Sequence, residues 1–173
     1  MARTLQPGDM LPVRELEPIG GGPPVRIGSN RPRALVLVVT HAGRCDDCRG
    51  YLESFRTVAP SYKAEKSDVV ALVGPEWDPA SWASWAAGAV PDERLRDALA
   101  GPGHPAVAVV DRFGQLFRRV DAGAGHAFPD HAGVLQTLID IGIRCPECGV
   151  PDVPSPDLLP EEGTRSGGML LGQ

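Results

Sequence analysis

Apolar positions alternate loosely at Leu11, Val13, Leu16 and Ile19 and return at Val25 and Ile27, on either side of Gly20-Gly21-Gly22-Pro23-Pro24. This pattern predicts an extended opening over 9–27, folded as a hairpin-like strand pair. Residues 34–40, Ala-Leu-Val-Leu-Val-Val-Thr, are apolar, β-branched and bounded by Pro32 and Gly43. A run of that length and composition predicts a central strand buried on both faces. After a loop at 41–44, Tyr51, Leu52, Phe55, Val58 and Ala59 recur at helical spacing, predicting a helix that stops before Pro60. Residues 68–74 predict a second buried strand, and 79–100 a helical stretch broken near Pro91. Residues 106–111 and 115–120 predict an antiparallel hairpin turning at Arg112-Phe113-Gly114, and 129–143 a last helix with Val134, Leu138 and Ile141 inward. The succession of hairpin, β, α, β, α, β-hairpin and α is the connectivity of a thioredoxin-like α/β fold: a central mixed sheet flanked by helices, with an N-terminal hairpin extension.

The 173 residues suffice for one domain with a real core. The expected division is a domain over 1–150 and a flexible C-terminal tail over 151–173, which is rich in Pro, Gly and acids and lacks periodicity. Hydrophobic residues make 42% and charged residues 23%, as in globular domains that fold in water. No apolar run nears the roughly 18 to 20 residues that span a bilayer, so no membrane partner is expected. Residues 1–9 lack a basic start followed by an apolar stretch, which places the expected location in the cytoplasm. The net charge of −5, with both signs interspersed, gives no basic footprint for nucleic acid. Gly20-Gly21-Gly22 lacks the strand, helix and lysine of a phosphate loop and reads as a turn.

Four cysteines fall into two Cys-x-x-Cys pairs, Cys45 with Cys48 and Cys145 with Cys148. In a reducing compartment that spacing favours redox or metal chemistry over structural disulfides. Cys45 stands where a buried strand gives way to a helix. A sulfur there faces free backbone N–H groups and the positive end of the helix dipole, which stabilise a thiolate. Cys48, one turn on, is placed to attack a mixed disulfide at Cys45. Hence Cys45 is the expected nucleophile and Cys48 the more buried resolving thiol. His41 and Arg44 favour the Cys45 thiolate, whereas Asp46 and Asp47 oppose it. The other readings of the pair are half of a metal site or an inert loop.

Pro7-Gly8-Asp9-Met10-Leu11-Pro12 resembles the Pro-Gly-Asp-x-x-Pro start of the redoxins, the alkyl hydroperoxide reductase and thiol-specific antioxidant group. Residues 103–114, Gly-His-Pro-Ala-Val-Ala-Val-Val-Asp-Arg-Phe-Gly, are similar to the redoxin segment in which a proline precedes a strand ending in Asp-x-x-Gly. The resemblance covers roughly residues 5 to 143. It implies that Pro105 is a cis-proline beside the active cysteines, shaping the backbone on which a thiol substrate docks. It also implies an antioxidant or thiol–disulfide activity needing no cofactor, a disulfide-containing protein or small molecule as substrate, and an external dithiol donor. Departures are informative. Arg44 stands where thioredoxins carry Trp, and 34–39 holds none of the buried carboxylate that thioredoxins use, leaving Cys48 without an evident base. Peroxiredoxins place Thr or Ser three residues before the peroxidatic cysteine, but Ala42 occupies that position. A dithiol–disulfide oxidoreductase is therefore expected ahead of a peroxiredoxin-like peroxidase, with a non-catalytic metal- or partner-binding module as the third alternative.

Cys145-Pro146-Glu147-Cys148-Gly149 resembles the knuckle of zinc ribbons and rubredoxins, which makes Cys145 and Cys148 candidate zinc ligands. About 14 helical residues would carry Cys145 roughly 20 Å from the first pair, so the two pairs are not expected to meet within one chain. A zinc site completed across a homodimer axis, an auxiliary dithiol and an empty knuckle all remain open. Trp77, Trp82 and Trp85 read as core or sheet cover. His104 stands near the expected site. His126 and His131, with Asp130, read as solvated residues rather than ligands.

Overall fold

The computed structural model describes residues 3–78 and 87–143. In chain order these form β1 (Arg14–Pro18), β2 (Val25–Ile27), β3 (Ala34–Val39), α1 (Asp46–Ala64), β4 (Ser67–Leu72), β5 (Ala87–Val90), α2 (Glu93–Ala100), β6 (Ala106–Val110), β7 (Leu116–Asp121) and α3 (His131–Ile143). The strands make one seven-stranded mixed sheet in the order β2-β1-β5-β4-β3-β6-β7. β3 runs parallel to β4, from Ala34 opposite Ser67 to Val39 opposite Leu72, and antiparallel to β6. The expected thioredoxin-like architecture, with its N-terminal hairpin of β1 and β2, is the one observed. Cys145, Cys148, Trp82, Trp85 and the tail expected from 151 lie outside the described residues.

Alternation along the strands divides the core in two. Leu35, Leu37 and Val39 face Leu95 and Leu99 of α2, with Leu16, Ile27 and Leu116. Val36 and Val38 face the other way, onto Leu52 and Phe55 of α1 and Val134 and Leu138 of α3. Cys48 belongs to this second cluster and is fully buried. The cysteine pair thus grows out of the core.

Two boundaries differ from expectation. α1 continues through Pro60 to Ala64, because the residues beyond the proline are anchored. Tyr62 is buried, its hydroxyl lies 3.0 Å from His131 Nδ1, and its carbonyl accepts a 2.8 Å bond from Ser67 Oγ. Those contacts offset the N–H that Pro60 lacks. Ala87–Val90, expected within a helix, is instead β5, parallel to β4 and antiparallel to β1. Alanine favours helix intrinsically, but the open edge of β4 offers ladder bonds and burial that override a propensity of tenths of a kcal/mol. Pro91 then closes the strand, and Asp92 caps α2 by accepting from Leu95 N–H at 2.7 Å.

The two segments that carry the redoxin resemblance meet each other. Asp111 Oδ1 accepts from Phe113 and Gln115 N–H, forming the β6–β7 turn, and Gly114 takes a φ of 94° there. Gly8 N–H bonds to Leu116 O, Leu116 N–H to Asp9 O and Leu11 N–H to Gly114 O. These contacts close the sheet at the end where β3 begins. The cysteine pair lies at the other end.

There the loop from β3 to α1 rests on Gly74. A Cβ at Gly74 would stand 1.7 Å from the Ala42 carbonyl oxygen, while Trp77 Nε1–H reaches over to bond Gly43 O at 3.1 Å. Substituting Gly74→Ala forces backbone apart and should lower the unfolding free energy by about 1–3 kcal/mol or more in urea titrations. A Cβ at Gly43 meets open space, so Gly43→Ala should stay within about 0.5 kcal/mol of the parent.

Candidate active site

Strand β3 ends at Val39, and Thr40 turns the chain out of the sheet with its N–H bonded to Leu72 O at 3.0 Å. Cys45 is the N-cap of α1, in extended conformation at φ −145° and ψ 120°, and its carbonyl accepts from Arg49 N–H. Its sulfur therefore stands at the helix N-terminus, half-buried, beside first-turn N–H groups that have no intrahelical partner. Cys48 lies one turn deeper with no exposed surface. Both are free thiols. The expected division into an accessible and a buried sulfur is met.

Burial pushes the Cys48 thiol up to about 12; a hydrogen bond to Cys45 and the charges of Cys45 and Asp47 push the same way, and the His41 main chain opposes them. Cys48 therefore keeps its proton near neutrality. His41 stands where the base missing from the sequence pattern would be needed. Its Nδ1 lies 3.4 Å from Cys48 Sγ. Burial, followed by the charge of His126, holds the His41 imidazole below its ordinary value, while the Gly103 main chain, accepting from the ring, works against that. At neutral pH the ring is uncharged and able to take a proton.

A second histidine, 81 residues from Cys45 in sequence, completes the site. His126 Nε2 lies 3.2 Å from Cys45 Sγ and 3.4 Å from His41 Nδ1, with the two rings edge to face at 4.9 Å. It sits in the turn after β7, where Ala127 N–H bonds to Ala122 O, and takes a left-handed φ of 54° that aims its ring inward. Its Nδ1 is 3.4 Å from Asp47 Oδ2. The expectation that His126 and His131 are solvated is thereby corrected. His131 lies between Ser54 Oγ, 2.7 Å from Nε2, and Tyr62, and serves the α1–α3 contact. Nothing local marks His126 as a site residue, whereas His41, in the loop before Cys-x-x-Cys, was already at hand.

Arg96 on α2 is a further member that the sequence pattern did not single out. Its guanidinium donates to the Thr40 carbonyl and lies within electrostatic reach of Cys48. Burial pulls its pKa down, against the charges of Asp97 and Cys48. Other expected neighbours turn outward. Arg44 is exposed, Asp46 pairs with Arg49 at 2.9 Å, and His104, within electrostatic reach of His41, faces Asp121 at 3.6 Å. Pro105 is buried at the start of β6, but no cis peptide bond occurs among the described residues, so the expected cis-proline is corrected. Gly101 at φ 79° and Gly103 at φ 72° turn the chain before it, letting His104–Pro105 run into the strand in trans. The same loop reaches the site through Gly103, at the His41 ring.

Cys45, Cys48, His41 and His126 present four donor atoms that all lie within 4.8 Å of one another, a set able to hold one metal ion. No protein-family profile matches the chain, and no curated protein matches its sequence. Solved structures do match its fold. A peroxiredoxin-like protein from Aquifex aeolicus superposes with a TM-score of 0.64 at 14% identity, over 81% of this chain and 90% of its own. Peroxidoxin BcpB from Mycobacterium tuberculosis gives 0.61 at 17%, over 82% and 99%. A protein from Chlorobium tepidum described as a thiol:disulfide interchange protein DsbE gives 0.59 at 18%, over 80% and 99%. The fold of this chain is thioredoxin-like, as in these redox proteins.

Proposed function

We propose that this protein is a thiol–disulfide oxidoreductase working through a Cys45/Cys48 dithiol–disulfide couple. One observation carries the reading: a buried thiol that holds its proton, Cys48, stands between an accessible sulfur at a helix N-terminus and a neutral imidazole. The Cys45 thiolate attacks a substrate disulfide, and the substrate S–S bond breaks with one thiolate leaving. Cys48 then gives its proton to His41 Nδ1 and attacks the Cys45 sulfur, closing the internal disulfide. The second substrate thiolate leaves and takes the proton from His41. The substrate gains two electrons and the protein loses two. An external dithiol donor, by two such exchanges, restores the reduced pair. Pro105 and the loop before it border the place where the substrate chain would dock.

The peroxidase alternative lacks its hydroxyl. Ala42 offers none, and Thr40 is fully buried with its Oγ1 turned to the His41 and Leu72 carbonyls. Among the described residues no helix is long and apolar enough to cross a membrane. The proposed substrates are thiols and disulfides.

Peptide mapping after brief alkylation of the reduced protein at pH 7 should show Cys45 modified and Cys48 spared. Equal labelling of the two would contradict the assignment of nucleophile and resolving thiol. In a disulfide-reduction assay, Cys45→Ser should abolish turnover, while Cys48→Ser should accumulate a mixed disulfide at Cys45 detectable by mass spectrometry.

His41→Asn should slow closure of the internal disulfide by about 10²–10⁴-fold, the range for a positioned general base. The pH profile checks the sign. A base must be unprotonated, so the wild-type closure rate should fall as acid protonates His41, below the ordinary histidine value of about 6.5 because that pKa is lowered. In His41→Asn that acid limb should disappear. An unchanged profile would remove His41 from the mechanism.

A further inference from the structure

The disulfide chemistry uses three of the four converging side chains and leaves His126 unemployed, although a left-handed turn aims it at Cys45. We propose that, in the reduced protein, Cys45, Cys48, His41 and His126 bind one zinc ion as a tetrahedral Cys2His2 centre. The inference goes beyond the oxidoreductase reading and stands without it.

Tetrahedral zinc with Zn–S near 2.3 Å and Zn–N near 2.0–2.1 Å sets its ligand atoms roughly 3.3–3.8 Å apart. The observed separations are 3.2 Å for Cys45 Sγ to His126 Nε2, 3.4 Å for Cys48 Sγ to His41 Nδ1 and 3.4 Å between the two ring nitrogens. The remaining pairs lie within 4.8 Å. Closing the quartet on an ion therefore takes side-chain shifts of an ångström or less. The ligand chemistry matches too, since mixed thiolate and imidazole in tetrahedral array suits zinc.

The surroundings fix the rings for this task. Asp47 faces Nδ1 of His126, and the Gly103 main chain accepts from the His41 ring. Each acceptor holds a proton on the outer side of its ring and leaves a lone pair on the nitrogen facing the sulfurs. Carboxylate or carbonyl behind a histidine is the usual outer support of a zinc ligand. Two imidazole lone pairs and two sulfurs thus point at one centre, an arrangement that repels itself unless a proton or a cation sits among them. Cys48 is fully buried, whereas His41, Cys45 and His126 are only partly so, which leaves a path for the ion.

The redox consequence balances without a change at zinc. A disulfide substrate takes two electrons from the two thiolates and, with two protons from water, becomes two thiols. The Cys45–Cys48 bond forms, both Zn–S bonds break, and Zn²⁺ leaves in its original oxidation state. Bound zinc therefore caps the dithiol, and oxidation of the dithiol expels zinc.

The test uses the full chain carrying Cys145→Ser and Cys148→Ser, so that the second pair contributes no ligands. Anaerobic titration of the reduced protein with Co²⁺ as the probe should give one equivalent, with the visible bands of tetrahedral cobalt and a near-ultraviolet thiolate charge-transfer band. Zn²⁺ should displace it one for one. His126→Ala should lose the tetrahedral bands, and the exposed Asp47→Asn, which leaves the core untouched, should weaken Zn²⁺ binding by about 10–100-fold. Absence of tetrahedral bands, or bands that survive His126→Ala unchanged, would overturn the proposal. Disulfide reduction by the metal-free protein in chelator is read separately, so loss of that activity counts against the oxidoreductase and not against the zinc site. Added Zn²⁺ should inhibit the reaction and chelator should restore it.

Discussion

Everything at the site depends on burying β3 on both faces. Leu35 to Val39 are fully buried between β4 and β6, and at about 1.5–3 kcal/mol per large side chain their burial is worth on the order of 10 kcal/mol as an upper bound. A strand so enclosed cannot slide by one residue without exchanging the two halves of the core. The point where the chain leaves the sheet is thereby fixed at Thr40. Gly74 and Trp77 then hold the following loop down by its Ala42 and Gly43 carbonyls. The helix that starts at Cys45 has little choice of direction.

That geometry sets two effects against each other a single turn apart. Cys45 stands at the helix N-terminus, where the dipole acts only within the first turn. Cys48, on the same turn but rotated into the core, is governed by loss of water, and its pKa near 12 shows which effect wins there. The inequality between the two thiols is thus produced by α1 being amphipathic, with Cys48, Leu52 and Phe55 on its buried face, and not by any special residue in Cys-Asp-Asp-Cys. The two aspartates between the cysteines have partners of their own. Asp46 pairs with Arg49, and Asp47 faces His126.

The fold was legible because its strands are short, β-branched and apolar on both faces, as in 34–39, and because turn residues punctuate them. The placement of the cysteines, one at the helix N-cap and one buried, was legible because Cys-x-x-Cys stands at a strand-to-helix junction. What failed to show depended on distance. β5 is made a strand by the edge of β4, and α1 outlasts Pro60 because Tyr62 finds His131 on another helix. His126 reaches Cys45 across 81 positions through a turn whose conformation no local pattern announces. The Pro-Gly-Asp and Asp-x-x-Gly segments were the most recognisable stretches, yet they bond to each other at the end of the sheet away from the cysteines. Their familiarity reported on the fold and not on the chemistry.

The substitution of histidines for the missing carboxylate has a consequence for selectivity among reactions. A buried carboxylate near a resolving thiol can move a proton but adds a negative charge to a site that already generates thiolates. An imidazole moves the same proton from a neutral resting state, and burial keeps it neutral here. Two such rings facing two sulfurs make one set of donors, and in the proposed zinc centre its occupant depends on redox state. With the sulfurs joined, their charge is gone and only the rings remain to attract a cation. With the sulfurs reduced, each proton removed adds a negative charge in a shielded place, and a divalent ion relieves that charge better than water can reach it. The same burial that makes Cys48 a reluctant acid therefore makes the deprotonated pair a strong ligand, and the competition between proton, metal and disulfide at one centre follows from where β3 ends.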